Sequence, residues 1–180
     1  ATIGNTDIQV SKLCLGCMSF GDGSTHSWAL DEQASDRIIH HALDVGINFF
    51  DTANVYFNPG RLSKEAINRE IDGTLKRLGT DYLDLYIIHR FDYDTPIEEA
   101  MGALNDLVKA GKVRALGASA MYGYQFYNMQ QVAKDHGWTP FSVMENHYNL
   151  LYREDEHELI PICKQFNVSL MPYSSLASGH

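Results

Sequence analysis

Apolar residues along the chain switch between two spacings. Short stretches rich in apolar residues at 13–18, 47–53, 82–89, 113–119, 141–148 and 168–173 read as strands. The run at 82–89 is apolar enough to be covered on both faces. Between the runs, apolar residues recur every three or four positions. Ile38, Ile39, Ala42 and Val45 predict a helix over 31–45, stopped by Gly46. Ile67, Ile71, Leu75 and Leu78 predict a second, capped by Ser63 and ended by Gly79. Thr95-Pro-Ile-Glu98 reads as a capping box with proline at the first helical position; its helix is lined by Ile97, Met101, Leu104 and Val108 and ended by Gly111. Helices over 124–135 and 159–165 complete the pattern, and Pro161 gives the last a late start or a kink. Residues 2–11, with Gly4-Asn5 at their middle, read as a short hairpin.

Strands and helices that alternate about thirty residues apart form a parallel sheet with crossover helices. An open doubly wound sheet and a (β/α) barrel both fit this order. The first βα turn, GCMSFGDG, lacks GxGxxG, and no GxxxxGK[ST] occurs, which favours the barrel. A closed barrel has eight βα units and typically ~250 residues; the pattern here holds about six. The expectation is therefore one α/β domain over 1–180, an incomplete (β/α)8 TIM barrel with its last units beyond residue 180.

Composition narrows the partners. With 44% hydrophobic and 21% charged residues, the chain reads as an ordinary globular protein. No apolar run reaches the length of a membrane span, and no signal-peptide pattern opens the sequence. A net charge of -9 argues against nucleic acid and acidic membranes as partners. Three cysteines, Cys14, Cys17 and Cys163, point to reduced thiols and a cytoplasmic location. Cys14 and Cys17 match CxxC, but residues three apart on a strand face opposite sides, so two small buried residues are expected.

Ligands of parallel βα folds sit at the carboxyl ends of strands. Those ends carry Asp51, His89-Arg90, Ser119, Glu145-Asn146-His147 and Tyr173-Ser174. Asp51 shares a strand face with Ile47 and Phe49, and His89 with Leu83, Leu85 and Ile87. If both faces point inward, a carboxylate and an imidazole meet near the phenol of Tyr56, a set suited to proton transfer. Singly, each has a plainer reading: Asp51 as a turn residue, His89 as a core histidine. Asp51, His89 and His147 as metal ligands lack the tight spacing of such sites, and no metal is expected. Phe20, Trp28 and Phe91 either cover an apolar substrate or seal the rim, and His40-His41 read as surface residues.

The segments LCLGCMSFG, GINFFDTANVY, LGTDYLDLYIIHR, TPIEEAMGALNDLVKAGKVRALGAS and MENHYNLLYRE resemble the aldo-keto reductases, near the branch of channel β-subunit-like oxidoreductases. The resemblance runs through nearly the whole chain. It implies an (α/β)8 barrel that binds NADP(H) and reduces small aldehydes or ketones. Asp51, Tyr56 and His89 match the family's Asp, proton-donating Tyr and His. Ser119 matches a residue at the nicotinamide carboxamide. Glu145 stands where Gln is usual and lacks its amide donor. Tyr173 matches the aromatic that stacks on nicotinamide, and Ser174, Leu176 and Ser178 match the pyrophosphate loop.

One element of the family pattern is absent. The Lys that pairs with the Asp is carried on a helix and strand between the Tyr and the segment resembling GRLSKEAI; here Tyr56 runs directly into FNPGRLSKEAI. The sequence reads as a join near 56–59. The absent Lys and Glu145 keep a second function open, a non-catalytic nucleotide-binding barrel like the channel β-subunits.

Overall fold

The computed structural model describes residues 1–21, 26–53 and 61–179. The chain divides into two units, residues 1–2 with 8–58 and residues 3–7 with 59–180.

The first unit contains β1 (Leu15–Gly16), α1 (Glu32–Asp44) and β2 (Phe50–Asp51). The strands are parallel, Leu15 opposite Phe50 and Gly16 opposite Asp51. This ladder is far shorter than the runs 13–18 and 47–53 predict, and the Asn48 side chain bonds the chain just ahead of it. Ser11 N–H donates to Asn48 Oδ1 at 2.7 Å, and Asn48 Nδ2 donates to Gln9 O at 3.4 Å. These contacts tie Asn48 to residues ahead of the predicted strand, while the ladder itself is carried by Leu15 N–H to Phe49 O at 2.9 Å and Cys17 N–H to Asp51 O at 2.8 Å. The expected hairpin is present as an antiparallel bridge between Thr2 and Gln9.

Asp31 caps α1 by accepting from Ala34 N–H at 2.8 Å. The buried line of α1 is not the predicted stripe. Ser35 and Ala42 are buried and Ile39 half-buried, whereas Ile38 and Val45 are exposed. Residues 35, 39 and 42 follow the i, i+4, i+7 spacing of one face, with Ile38 and Val45 on its flank.

The second unit runs α2 (Lys64–Leu78), β3 (Leu83–Ile88), α3 (Ile97–Lys109), β4 (Val113–Ser119), α4 (Gly123–His136), β5 (Phe141–Glu145), α5 (Leu159–Gln165) and β6 (Ser169–Leu170). Its sheet is parallel in chain order β3-β4-β5-β6, and α2 to α5 each pack on the next helix. This is repeated βα winding, the construction of a barrel wall. Ile71, Met101, Leu104, Leu116, Phe126 and Met144 are fully enclosed in its core. In α2 the predicted stripe fades toward its end: Ile67 and Ile71 are buried, but Leu78 is exposed. Of β3, only Ile88 is buried.

The expected capping box of α3 does not form. Pro96 itself is the N-cap residue and no side chain caps the helix. Proline has no N–H for a returning glutamate to accept, which rules the box out. Thr95 Oγ1 donates instead to Asp92 Oδ2 at 2.6 Å. In α5, Pro161 is the third helical residue, inside the first turn where no intrahelical donor is needed, so the helix begins at Leu159 without the late start that Pro161 suggests. Strand β6 is shorter than 168–173, but its bonding continues: Met171 N–H donates to Met144 O and Tyr173 N–H to Asn146 O, both at 2.9 Å. Pro172 fits between them because its missing donor would face away from β5.

Two polar contacts fix the amino ends of the strands. Gln130 is buried and bonds both backbone groups of Phe141, accepting from its N–H at 2.8 Å and donating to its O at 3.1 Å. Gly4 N–H donates to Ser169 Oγ at 2.7 Å. Gly4 has φ +45°, and a Cβ there would lie 2.5 Å from Ser142 O, so glycine is the residue that fits.

Candidate active-site rim

The sheet of the second unit has two distinguishable faces. Ile88, Ala118 and Met144 are partners in register and belong to the core beneath the helices. Ser119 and Glu145, one residue further on, are also partners. Side chains alternate along a strand, so this pair points away from the helices, and His89, one residue past Ile88, continues the same row. His89, Ser119 and Glu145 therefore share one face at the carboxyl end of the sheet. Ser119 is buried and the other two are half-buried.

Beyond Glu145 the chain makes a polar loop. His147 bridges to Tyr173, and their rings stack with centroids 5.2 Å apart and planes 10° apart. Tyr152 also stacks on His147, at 4.5 Å and 19°. Asn149 is buried and ties this loop together: its Oδ1 accepts from Leu151 N–H at 2.9 Å and Tyr152 N–H at 2.8 Å, while Nδ2 donates to Ser174 O at 3.1 Å. Burial pushes the Tyr173 phenol above its ordinary value; Arg90 pulls it down, and Glu145, Asp155 and Tyr152 push it further up. Ser174, Ala177 and Ser178 have φ of +54°, +48° and +58°. Left-handed turns of this kind gather backbone N–H groups into a concavity suited to anions, and Leu176 is exposed on this loop.

The other predicted residues are placed as follows. Asp51, half-buried at the end of β2, belongs to the first unit, as do Phe20 and Trp28. Cys17 N–H donates to Asp51 O at 2.8 Å; burial, and then the Asp51 charge, raise the Cys17 thiol. Phe20 lines a cavity of about 500 Å³ with Asp31, Ser35 and Ile39, and Trp28 stacks on His26 at 4.5 Å. Phe91 belongs to the second unit, where it packs on the core and meets Tyr93 edge-on at 5.1 Å. Tyr56 lies outside the described residues.

None of the three cysteines is in a disulfide, and Cys14 and Cys17 are half-buried rather than buried. Among the described residues no group of three or more His, Cys, Asp and Glu is placed to hold a metal ion, and no helix is long and apolar enough to cross a membrane. Sequence reasoning missed Asn149 and Tyr152. An asparagine that bonds four backbone and side-chain groups of a loop leaves no periodic signal, and ring stacking depends on where the loop folds back.

Comparison with known proteins gives a consistent result. The aldo/keto reductase family model matches residues 12–61 and 57–180. An aldo-keto reductase of Fusarium vanettenii is 39% identical over 235 residues, covering 98% of this chain and 64% of the relative. One from Alternaria alternata is 36% identical over 236 residues, with the same two coverages, 98% and 64%. The versiconal hemiacetal acetate reductase of Aspergillus parasiticus is 34% identical over 232 residues, covering 99% of this chain and 67% of the relative. The chain spans just under two thirds of the length of the first two. With matched segments reaching from residue 12 to residue 180, and with parallel βα units in the order this fold requires, the chain belongs to the aldo/keto reductase family, whose fold is a (β/α)8 barrel.

Proposed function

We propose that the protein reduces aldehydes or ketones to alcohols with NADP(H), with Tyr56 as proton donor and Asp51 and His89 as its supporting groups. The observation that carries this reading is the row His89, Ser119 and Glu145 on one face at the carboxyl rim. The residues present suit the cofactor. Ser119 offers a hydroxyl for the carboxamide, Tyr173 an exposed ring for the nicotinamide, and the turn with Ser174, Leu176 and Ser178 a cradle for the pyrophosphate. Glu145 suits it less well, because a carboxylate accepts hydrogen bonds but donates none.

When bound, the cofactor supplies a hydride for the carbonyl carbon. The chain's own task is the proton. The Tyr56 hydroxyl holds the carbonyl oxygen and gives up its proton as the alcohol forms, and solvent restores it. An unperturbed phenol has a pKa of about 10 and is a weak acid at neutral pH. The His89 imidazole lowers the cost of the phenolate by hydrogen bonding, and Asp51 orients the donor. Phe20, Trp28 and Phe91 are the apolar residues proposed to meet the substrate.

We infer further that one helix and one strand are missing at a join near 56–59. The family match breaks into two segments that meet at 57–61, and the alignments run over 235 residues although the chain has 180. The Lys that would lower the Tyr56 pKa belongs to that segment. A chain lacking it is a poor catalyst, and the alternative reading, a nucleotide-binding barrel without turnover, draws on the same gap and on Glu145.

The test is NADPH oxidation by the purified full-length protein with a panel of small aldehydes. Replacing Tyr56 with Phe is expected to cost on the order of 10²–10⁴ in rate. No turnover with any aldehyde, or full activity in Tyr56→Phe, defeats the reductase reading; tight NADPH binding without turnover selects the alternative.

A further inference from the structure

Tyr173 is 41% exposed, and a tyrosine on a loop at that exposure would ordinarily turn about its side-chain torsions. Here it stands in a stack of three nearly parallel rings, Tyr152, His147 and Tyr173, with the imidazole in the middle. The imidazole is itself held at its edge: His147 Nε2 lies 3.4 Å from Asn149 Nδ2. This contact ties the edge of the imidazole to Asn149. The same Nδ2 donates to Ser174 O, the residue after Tyr173. The Tyr173 backbone is fixed as well, since its N–H donates to Asn146 O at 2.9 Å. Position, plane and following residue of Tyr173 are all set from the loop at 146–152.

We propose that His147 is a positioning residue for cofactor binding. It holds the Tyr173 ring in one plane, so that the ring's remaining exposed surface is a fixed shelf for a flat heteroaromatic ring, the nicotinamide. The inference rests on the reading of Tyr173 as the stacking platform. An imidazole suits the task because its face stacks on aromatic rings while its edge carries a nitrogen for Asn149 to hold. An aliphatic side chain of the same volume fills the space but defines no plane, and a phenyl ring restores the plane without the edge bond. A shelf ordered beforehand avoids the entropy of ordering it during binding.

The experiment measures NADPH dissociation constants, the emission of the bound nicotinamide and Tm, using the full-length protein and its Tyr173→Ala, His147→Leu and His147→Phe variants. Tyr173→Ala and His147→Leu should each weaken NADPH binding by roughly three- to tenfold, with a shift in the bound nicotinamide emission. His147→Phe should recover most of the affinity. Should Tyr173→Ala weaken binding while His147→Leu does not, the positioning role is overturned and the platform reading stands. If Tyr173→Ala leaves binding unchanged, the platform reading fails and the positioning role falls with it. A His147→Phe variant as weak as His147→Leu also overturns the proposal, because a restored ring would then have restored nothing.

Discussion

Ser119 and Glu145 are the last paired residues of β4 and β5, and both point away from the helices. A carboxylate is thus placed directly beside the buried hydroxyl proposed to meet the nicotinamide carboxamide. Glu145→Gln supplies the missing amide donor at unchanged size. It should tighten NADPH binding by about three- to tenfold, the range for one added hydrogen bond. Fluorescence titration of the two proteins checks this, and equal affinities would place Glu145 away from the cofactor.

Asp92 anchors the loop after β3. Its Oδ2 accepts from Leu62 N–H at 2.8 Å and from Thr95 Oγ1, and its Oδ1 accepts from Asp94 N–H at 3.0 Å. Desolvation pushes its carboxyl up, but Thr95, the Leu62 and Asp94 amides and Arg61 together bring it below its ordinary 3.8. A carboxyl lowered in the folded state stabilises the fold above its unfolded value, and that contribution is lost as pH falls through the folded value. Tm of the parent protein should therefore drop more steeply than that of Asp92→Asn as pH falls below about 4. The difference should be small because the site is largely solvated. Parallel acid limbs in the two melting profiles would rule out this linkage.

Gly4→Ala should destabilise the protein by about 1–3 kcal/mol. The added methyl meets the Ser142 carbonyl at 2.5 Å, and φ at this position is +45°. Backbone on both sides leaves little room to yield. Chemical denaturation gives the number, and an unchanged midpoint would mean that the tip at Ile3–Asp7 does not dock as described.

Burial pushes the Cys163 thiol up to about 12, with a further contribution from Asp155. The thiolate is the reactive species, so Cys163 should escape alkylation at pH 8 in the folded protein and react once it is unfolded. Mass spectrometry of the alkylated peptides reads this directly; rapid native labelling of Cys163 would contradict its burial.

The sequence made the winding of the fold legible because its strands are unusually plain. At β4 the residues Val113 to Ser119, apolar or small except for Arg114, are bounded by Gly111 and by a left-handed Ala120, and prediction and structure agree on every residue. His89 could be placed with Leu83, Leu85 and Ile87 because period-two alternation needs only a correct strand end, but its row with Ser119 and Glu145 came from the register of the strands. Other features depended on partners that spacing does not encode. The buried face of α1 turned from Ile38 toward Ser35, the β1–β2 ladder closed on two residue pairs only, and Pro96 took the position that a capping box needs. The ring stack at His147 joins residues 147, 152 and 173, which only the folded loop brings together.

The hydrogen bond from Gly4 to Ser169 spans 165 positions of the chain. During synthesis the amino-terminal tip leaves the ribosome long before its acceptor exists, so it waits unattached while the intervening βα units assemble. Closing so distant a contact is entropically slow compared with the neighbour-to-neighbour pairing of β3 through β6. The tip is therefore a late latch on the second unit, and refolding should show the local environment of Gly4 settling after the sheet has formed.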